Sequence, residues 1–107
     1  MSILNNEEKK EKLKELVQSN EEISIEKYYS TLEEIGDYKS NYKDYMTTAP
    51  INVDIELSRL SNSDYELCTA LLTMLLREDY FSNGSFVERY SNGQVIPIIE
   101  RMIELLY

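Results

Sequence analysis

Five tyrosines, Tyr28, Tyr29, Tyr38, Tyr42 and Tyr45, fall in one short stretch, with Glu33, Glu34, Asp37 and Asp44 among them. Phenols beside carboxylates suit two kinds of chemistry. They can move protons, provided two carboxylates from separate elements converge on a substrate. They can also make contact, because tyrosine combines a large area, a small entropy cost on ordering and a polar tip. One row of these rings must face the core to hold its helix down. Tyr29 and one of Tyr38 or Tyr45 fall off that row. Tyr29, Glu33, Glu34, Asp37, Tyr38, Asp44 and Tyr45 are therefore the candidate residues of an acidic, aromatic contact patch.

The rest of the chemical toolkit is thin. The 107 residues include no His, no Trp and a single Cys. Cys68 sits in the apolar run Leu67-Cys68-Thr69-Ala70-Leu71, with no His to act as its base and no second Cys to share a metal. It reads as a small core residue. The carboxylate pairs Glu7-Glu8, Glu21-Glu22 and Glu33-Glu34 point to different sides of a helix, and no spaced acidic loop for calcium is present. Gly84 and Gly93 are single glycines in turn contexts, not a phosphate loop. No catalytic residue, metal ligand or cofactor site is expected, and an enzyme is the remote alternative.

Twenty acidic residues against 11 basic give a net charge of −9. Glu7 to Glu15 hold four Glu against Lys9, Lys10, Lys12 and Lys14, so the net charge lies from Glu21 onward. Such a field argues against direct contact with nucleic acid or an anionic membrane and favours a protein with a basic surface. Met1-Ser2-Ile3-Leu4 runs at once into Asn5, Asn6, Glu7 and Glu8, unlike a signal peptide, and no apolar stretch approaches a membrane span. A cytoplasmic location is the expectation.

The elements that must position these residues are helical. Three Gly and two Pro leave little material for hairpins. A charged first helix starts after Asn5 or Asn6, carries Leu13, Leu16 and Val17, and stops at Ser19-Asn20; residues 1–20 form an edge helix or an arm. Tyr-rich helices over 24–48 follow, the first from Ser24 to a left-handed Gly36, the next capped by Asp37 and stopped at Ala49-Pro50. Ile51 to Leu57 alternates like a strand, but no partner strand exists, so it reads as a short helix or extended connector. Residues 63–107 are the expected core. Ser63-Asp64-Tyr65-Glu66 and Ser85-Phe86-Val87-Glu88 are capping boxes. Between them lies a helix apolar over much of its circumference, and Val95, Ile98, Ile99, Met102, Ile103 and Leu106 form the stripe of a last helix that tolerates Pro97 in its first turn.

The run from Leu71-Leu72-Thr73 through Arg77-Glu78-Asp79-Tyr80-Phe81-Ser82-Asn83-Gly84, then Ser91-Asn92-Gly93-Gln94-Val95 and Ile98-Ile99-Glu100-Arg101-Met102, resembles the uncharacterised bacterial and phage domain-of-unknown-function family 6508. That pattern is a leucine-rich helix, then Arg, an acidic residue, Phe and Gly, then a Gly-led final helix. The resemblance spans Ser63 to Leu106. Tyr80 stands where the family more often has Arg, and Met102 where it often has Leu. It implies a helical fold and supplies no activity. The residues themselves suggest that Arg77 pairs with Glu88 or caps carbonyls and that Phe81 plugs a corner, with Arg77 and Asp79 as further contact candidates.

The expectation is an all-α single domain of five or six helices with a C-terminal three-helix core. It is expected to act as a non-enzymatic, acidic protein-binding module. In its sharpest form it inhibits a basic nucleic-acid-handling enzyme such as a bacterial defence nuclease, in the manner of phage anti-CRISPR proteins. The alternative is a structural homodimer joined through the first or last helix.

Overall fold

A computed structural model describes residues 4–18 and 24–106. Among them the chain forms α1 (Asn6–Gln18), α2 (Ile25–Ile35), a 3-10 turn (Tyr42–Tyr45), α3 (Val53–Leu57), a second 3-10 turn (Leu60–Asn62), α4 (Tyr65–Phe81), α5 (Ser85–Ser91) and α6 (Ile96–Leu105). No strand occurs among the described residues.

The axis of the fold is α4. Its residues from Cys68 to Leu76 are all buried. A helix with no polar face has to be surrounded, and α3, α5, α6 and the first 3-10 turn pack around it. Val95, Ile98, Ile99, Met102 and Leu106 are buried as their spacing predicts, and Pro97 sits in the first turn of α6. The core is not confined to these C-terminal helices. α1 packs against both α2 and α6, and Leu13, Leu16, Tyr28, Leu32 and Ile35 complete the same buried cluster. The first helix is thus a wall of the core, not an arm.

Local signals explain the ends of the elements, with three corrections. At α1, Asn5 Oδ1 accepts the Glu8 N–H at 2.9 Å while Glu8 Oε1 faces the Asn5 N–H at 3.5 Å, a reciprocal cap. Its expected stop at Ser19-Asn20 lies outside the described residues. Gly36 closes α2 at φ 77°, a left-handed conformation costly for any residue with a Cβ. The first correction concerns α4, which is capped by Asp64, whose Oδ1 accepts the Leu67 N–H at 2.8 Å. Ser63 turns away to donate to the Leu60 carbonyl. The second concerns α5, which has Gly84 at its cap and no side-chain cap of its own.

The third correction is the Tyr-rich helix expected after Asp37. Only Tyr42–Tyr45 coil there, as a 3-10 turn. The Lys39 N–H donates to Thr73 Oγ1 on α4 at 3.3 Å, and the Asp37 carboxylate accepts the Tyr65 hydroxyl at 2.6 Å. Backbone and side chain are both held by α4, and the segment closes 3-10 bonds, among them those from the Tyr42 N–H to the Lys39 carbonyl and from the Asp44 N–H to the Asn41 carbonyl. Within the run Ile51 to Leu57, Val53–Leu57 form α3, one of the two expected forms, with Asn52 Oδ1 accepting the Ile55 N–H at its start.

Candidate functional site

Beyond its buried run, α4 carries Arg77, Tyr80 and Phe81 on one face, at i, i+3 and i+4. Tyr80 and Phe81 are 73% and 77% exposed. Their rings meet edge-to-face at 5.1 Å, and the Arg77 guanidinium lies 4.9 Å from the first and 5.9 Å from the second. On the other side of Arg77 stand Tyr29 and Tyr38, with ring centres 5.8 Å apart. Burial, reinforced by Tyr38, raises the Tyr29 phenol pKa, and the adjacent Arg77 opposes that rise. Phe81 therefore does not plug a corner. Phe86 does so, fully buried with its ring 4.9 Å from that of Tyr28.

This ridge divides two cavities. One, of about 350 Å³, is lined by Tyr38, Ser40, Tyr42, Lys43, Arg77 and Phe81. The other, of about 250 Å³, shares Tyr42, Arg77 and Phe81 but is walled by Ile51, Val53 and Met74. A larger cavity of about 480 Å³ lies across the molecule near Leu57, Leu60 and Pro97. Its cation, Arg101, already donates to the Ser63 carbonyl at 2.9 Å and pairs with Glu104. Arg77 differs: Arg59, Arg89 and Arg101 each meet a carboxylate, whereas among the described residues Arg77 meets aromatic rings.

Of the residues singled out by sequence, Tyr29, Tyr38 and Arg77 come together here. Glu33 is exposed one turn along α2 from Tyr29. Glu34 is exposed and pairs with Lys12 at 3.0 Å. Asp44 is exposed, while Tyr45 is half-buried against the core. Two acidic candidates are used internally. Asp37 is buried between Lys9, at 3.3 Å, and the Tyr65 hydroxyl, tying α1, the end of α2 and α4 into one joint. Asp79 Oδ1 accepts the Gly84 and Phe86 N–H groups, each at 3.0 Å, and so caps α5 from the preceding helix. Arg77 does not pair with Glu88. The arginine that pairs near this corner is Arg89, which grips Glu78 through two bonds of 3.1 and 3.0 Å and reaches Asp54 and Gln94.

Sequence reading missed Tyr80, Ser40 and Lys43 as members of this face. The i, i+3, i+4 spacing from Arg77 was the available signal for Tyr80. Nothing local marks Lys43, which arrives on the 3-10 turn. Glu56 was missed altogether. It is fully buried and accepts from the Thr47 N–H, the Thr48 N–H, both hydroxyls and Arg59 Nη1 at 2.8 Å. Burial alone would push this carboxyl up; the bonds from Thr48, Arg59 and Thr47 outweigh it and pull it down to about 2. Cys68 is buried beside Ser63 Oγ, 3.1 Å away, and burial raises its thiol. Among the described residues no three potential metal ligands converge, and no helix is long and apolar enough to cross a membrane.

The sequence pattern of a family of unknown function (DUF6508) matches residues 2–106, so the likeness extends well beyond the C-terminal part that first suggested it. No curated protein and no solved structure matches the chain.

Proposed function

The chain belongs to that family of unknown function, and we propose that it acts as a non-enzymatic protein-binding module. Its docking face is formed by Tyr29, Tyr38, Arg77, Tyr80 and Phe81, and it binds a partner with a basic surface. The observation that carries this reading is the exposure of Tyr80 and Phe81 at the end of the most buried helix. Aromatic and arginine side chains are enriched among the hot spots of protein interfaces, and a Phe facing solvent gains little from burial. The net charge of −9 supplies the choice of partner, since it speeds encounter with a cationic surface and slows it with an anionic one. Exposed Glu33, Glu34 and Asp44 form the acidic surroundings. In its sharpest form the module inhibits a nucleic-acid-handling enzyme by covering the surface that binds phosphates.

The reading is tested by titrating the protein against purified bacterial defence nucleases and following cleavage. Inhibition should weaken at least about tenfold in Tyr80→Ala/Phe81→Ala, and its onset should slow as salt rises. Inhibition that survives high salt and joint neutralisation of Glu33, Glu34 and Asp44 would overturn the electrostatic part. The second reading is a homodimer through α1 or α6: Leu13, Leu16, Ile98, Ile99 and Met102 are buried within the monomer, whereas Val17 and Ile103 are only partly buried and line one cleft between the two helices; concentration-dependent sedimentation decides it.

A further inference from the structure

We infer that the cavity between Lys43 and Arg77 is a binding site for a small phosphate monoester carrying a planar ring. This goes beyond the docking reading, although the two sites share Arg77 and Phe81 at their border. The cavity's volume of about 350 Å³ falls in the range of small-ligand sites, roughly 300–1,000 Å³. In a chain so rich in carboxylates, most cations are paired. Lys43 and Arg77 form no ion pair among the described residues, yet both line this cavity. Arg77 presents the planar fork that phosphate oxygens accept in pairs, and Lys43 adds a point charge. Ser40, Tyr38 and Tyr42 line the same space, and each carries a hydroxyl able to donate to a remaining oxygen.

The ring is specified by the other half of the arrangement. Phe81 is exposed at the rim, and the adjoining cavity offers an apolar wall of Ile51, Val53 and Met74, with Glu78 and Ser82 also at its edge. A ligand seated with its phosphate on Arg77 can lay a ring against Phe81 toward that wall. The overall negative charge does not forbid this. Charges beyond about 8 Å are screened at physiological ionic strength; of the carboxylates that follow Arg77 on α4, Glu78 is engaged by Arg89 and Asp79 by backbone N–H groups, and Asp44, beside Lys43, is exposed to solvent.

The experiment is an NMR titration of the isotope-labelled full chain with phenyl phosphate, adenosine 5′-monophosphate and inorganic phosphate. At least one ring-bearing phosphate should give saturable shifts confined to residues 38–43 and 77–81. Preference for the nucleotide assigns a nucleotide source, and preference for phenyl phosphate assigns an aryl phosphate source. Arg77→Gln and Lys43→Gln should each weaken binding about tenfold while the spectrum away from residues 29–43 and 77–81 keeps its native dispersion. Phe81→Ala should weaken the ring-bearing ligand and leave phosphate alone unaffected. Inorganic phosphate binding as tightly as both esters overturns the inference. So does wild-type affinity in Arg77→Gln, or no saturable shift at roughly millimolar ligand. None of these readouts needs a protein partner, so failure here and failure of the docking reading are separately visible.

Discussion

Glu56 shows how much a single buried charge can organise. Its carboxylate closes the stretch between the first 3-10 turn and α3 by accepting from the Thr47 and Thr48 backbone and from Arg59. Arg59 Nη1 in turn donates to the Tyr45 carbonyl. Removal of the carboxylate leaves the Thr47 and Thr48 N–H groups without their acceptor, while Arg59, 31% exposed, can turn to water, so Glu56→Ala should lower unfolding stability by about 1–3 kcal/mol in urea melts. The pH dependence has a defined sign. A folded pKa held near 2, against an ordinary value of 4.5, means that the unfolded chain takes up this proton first. The group's contribution is therefore complete above about 4.5 and is lost as pH falls toward about 2. Glu56→Gln should flatten the stability profile between these limits and leave the profile near neutrality parallel to wild type. None of this was legible beforehand, because one Glu among 20 acidic residues carries no local sign of burial. The alternating pattern around it pointed to a short helix or an extended connector, and α3 is that short helix, but the pattern says nothing of where Glu56 turns. Asp37 and Asp79 hid their roles for the same reason: their partners are distant along the chain or on the next helix.

At the scale of elements, what was legible and what was not follow a physical division. Apolar periodicity located α4 and α6, since a stripe or a wholly greasy run has few ways to be buried. Turn chemistry located Gly36 and the breaks near Gly84 and Gly93, all at positive φ. Caps misled where a better acceptor stood nearby. Asp64 displaced Ser63 at α4, and Asp79 reached across the turn to α5. The Tyr-rich stretch misled because i, i+4, i+7 spacing also fits a chain pinned at intervals onto another helix, which is what Lys39 and Asp37 do. The candidate face was half legible: Tyr29, Tyr38 and Arg77 were singled out, but their meeting depends on how α2 and the 3-10 turn lie against α4. Asp79 gives a clean test of cap against contact. Asp79→Ala should cost about 1 kcal/mol, read as a lower denaturant midpoint, whereas Asp79→Asn keeps the accepting oxygen and should remain near wild type. If Asp79 served chiefly in docking, both variants would keep full stability.

For the whole molecule, the question is whether the C-terminal helices are a folding unit to which the rest is added. The fragment from Ser63 to Tyr107 holds α4, α5 and α6, but the surfaces that α4 and α6 bury are completed from elsewhere. Leu13 and Leu32 are fully buried in the same cluster as Met102 and Ile98, and Tyr28 supplies the ring against Phe86. Without α1 and α2 these faces would meet water, at about 25 cal/mol for each Å² of apolar area uncovered. Chains near forty residues rarely fold alone without a disulfide or metal, and Cys68 has no partner thiol. The isolated 63–107 fragment should therefore show helical circular dichroism with a broad, non-cooperative melt, while the full chain melts in one transition. Within the full chain, Leu13→Ala should cost about 2–5 kcal/mol, as much as a truncation in α4, because both line one interior. A sharp melt of the fragment, or a Leu13→Ala cost within error of zero, would mean that the core is complete without its first helix. The docking face would then also lose its footing, since Tyr29 reaches Arg77 only from an α2 held in place by that shared interior.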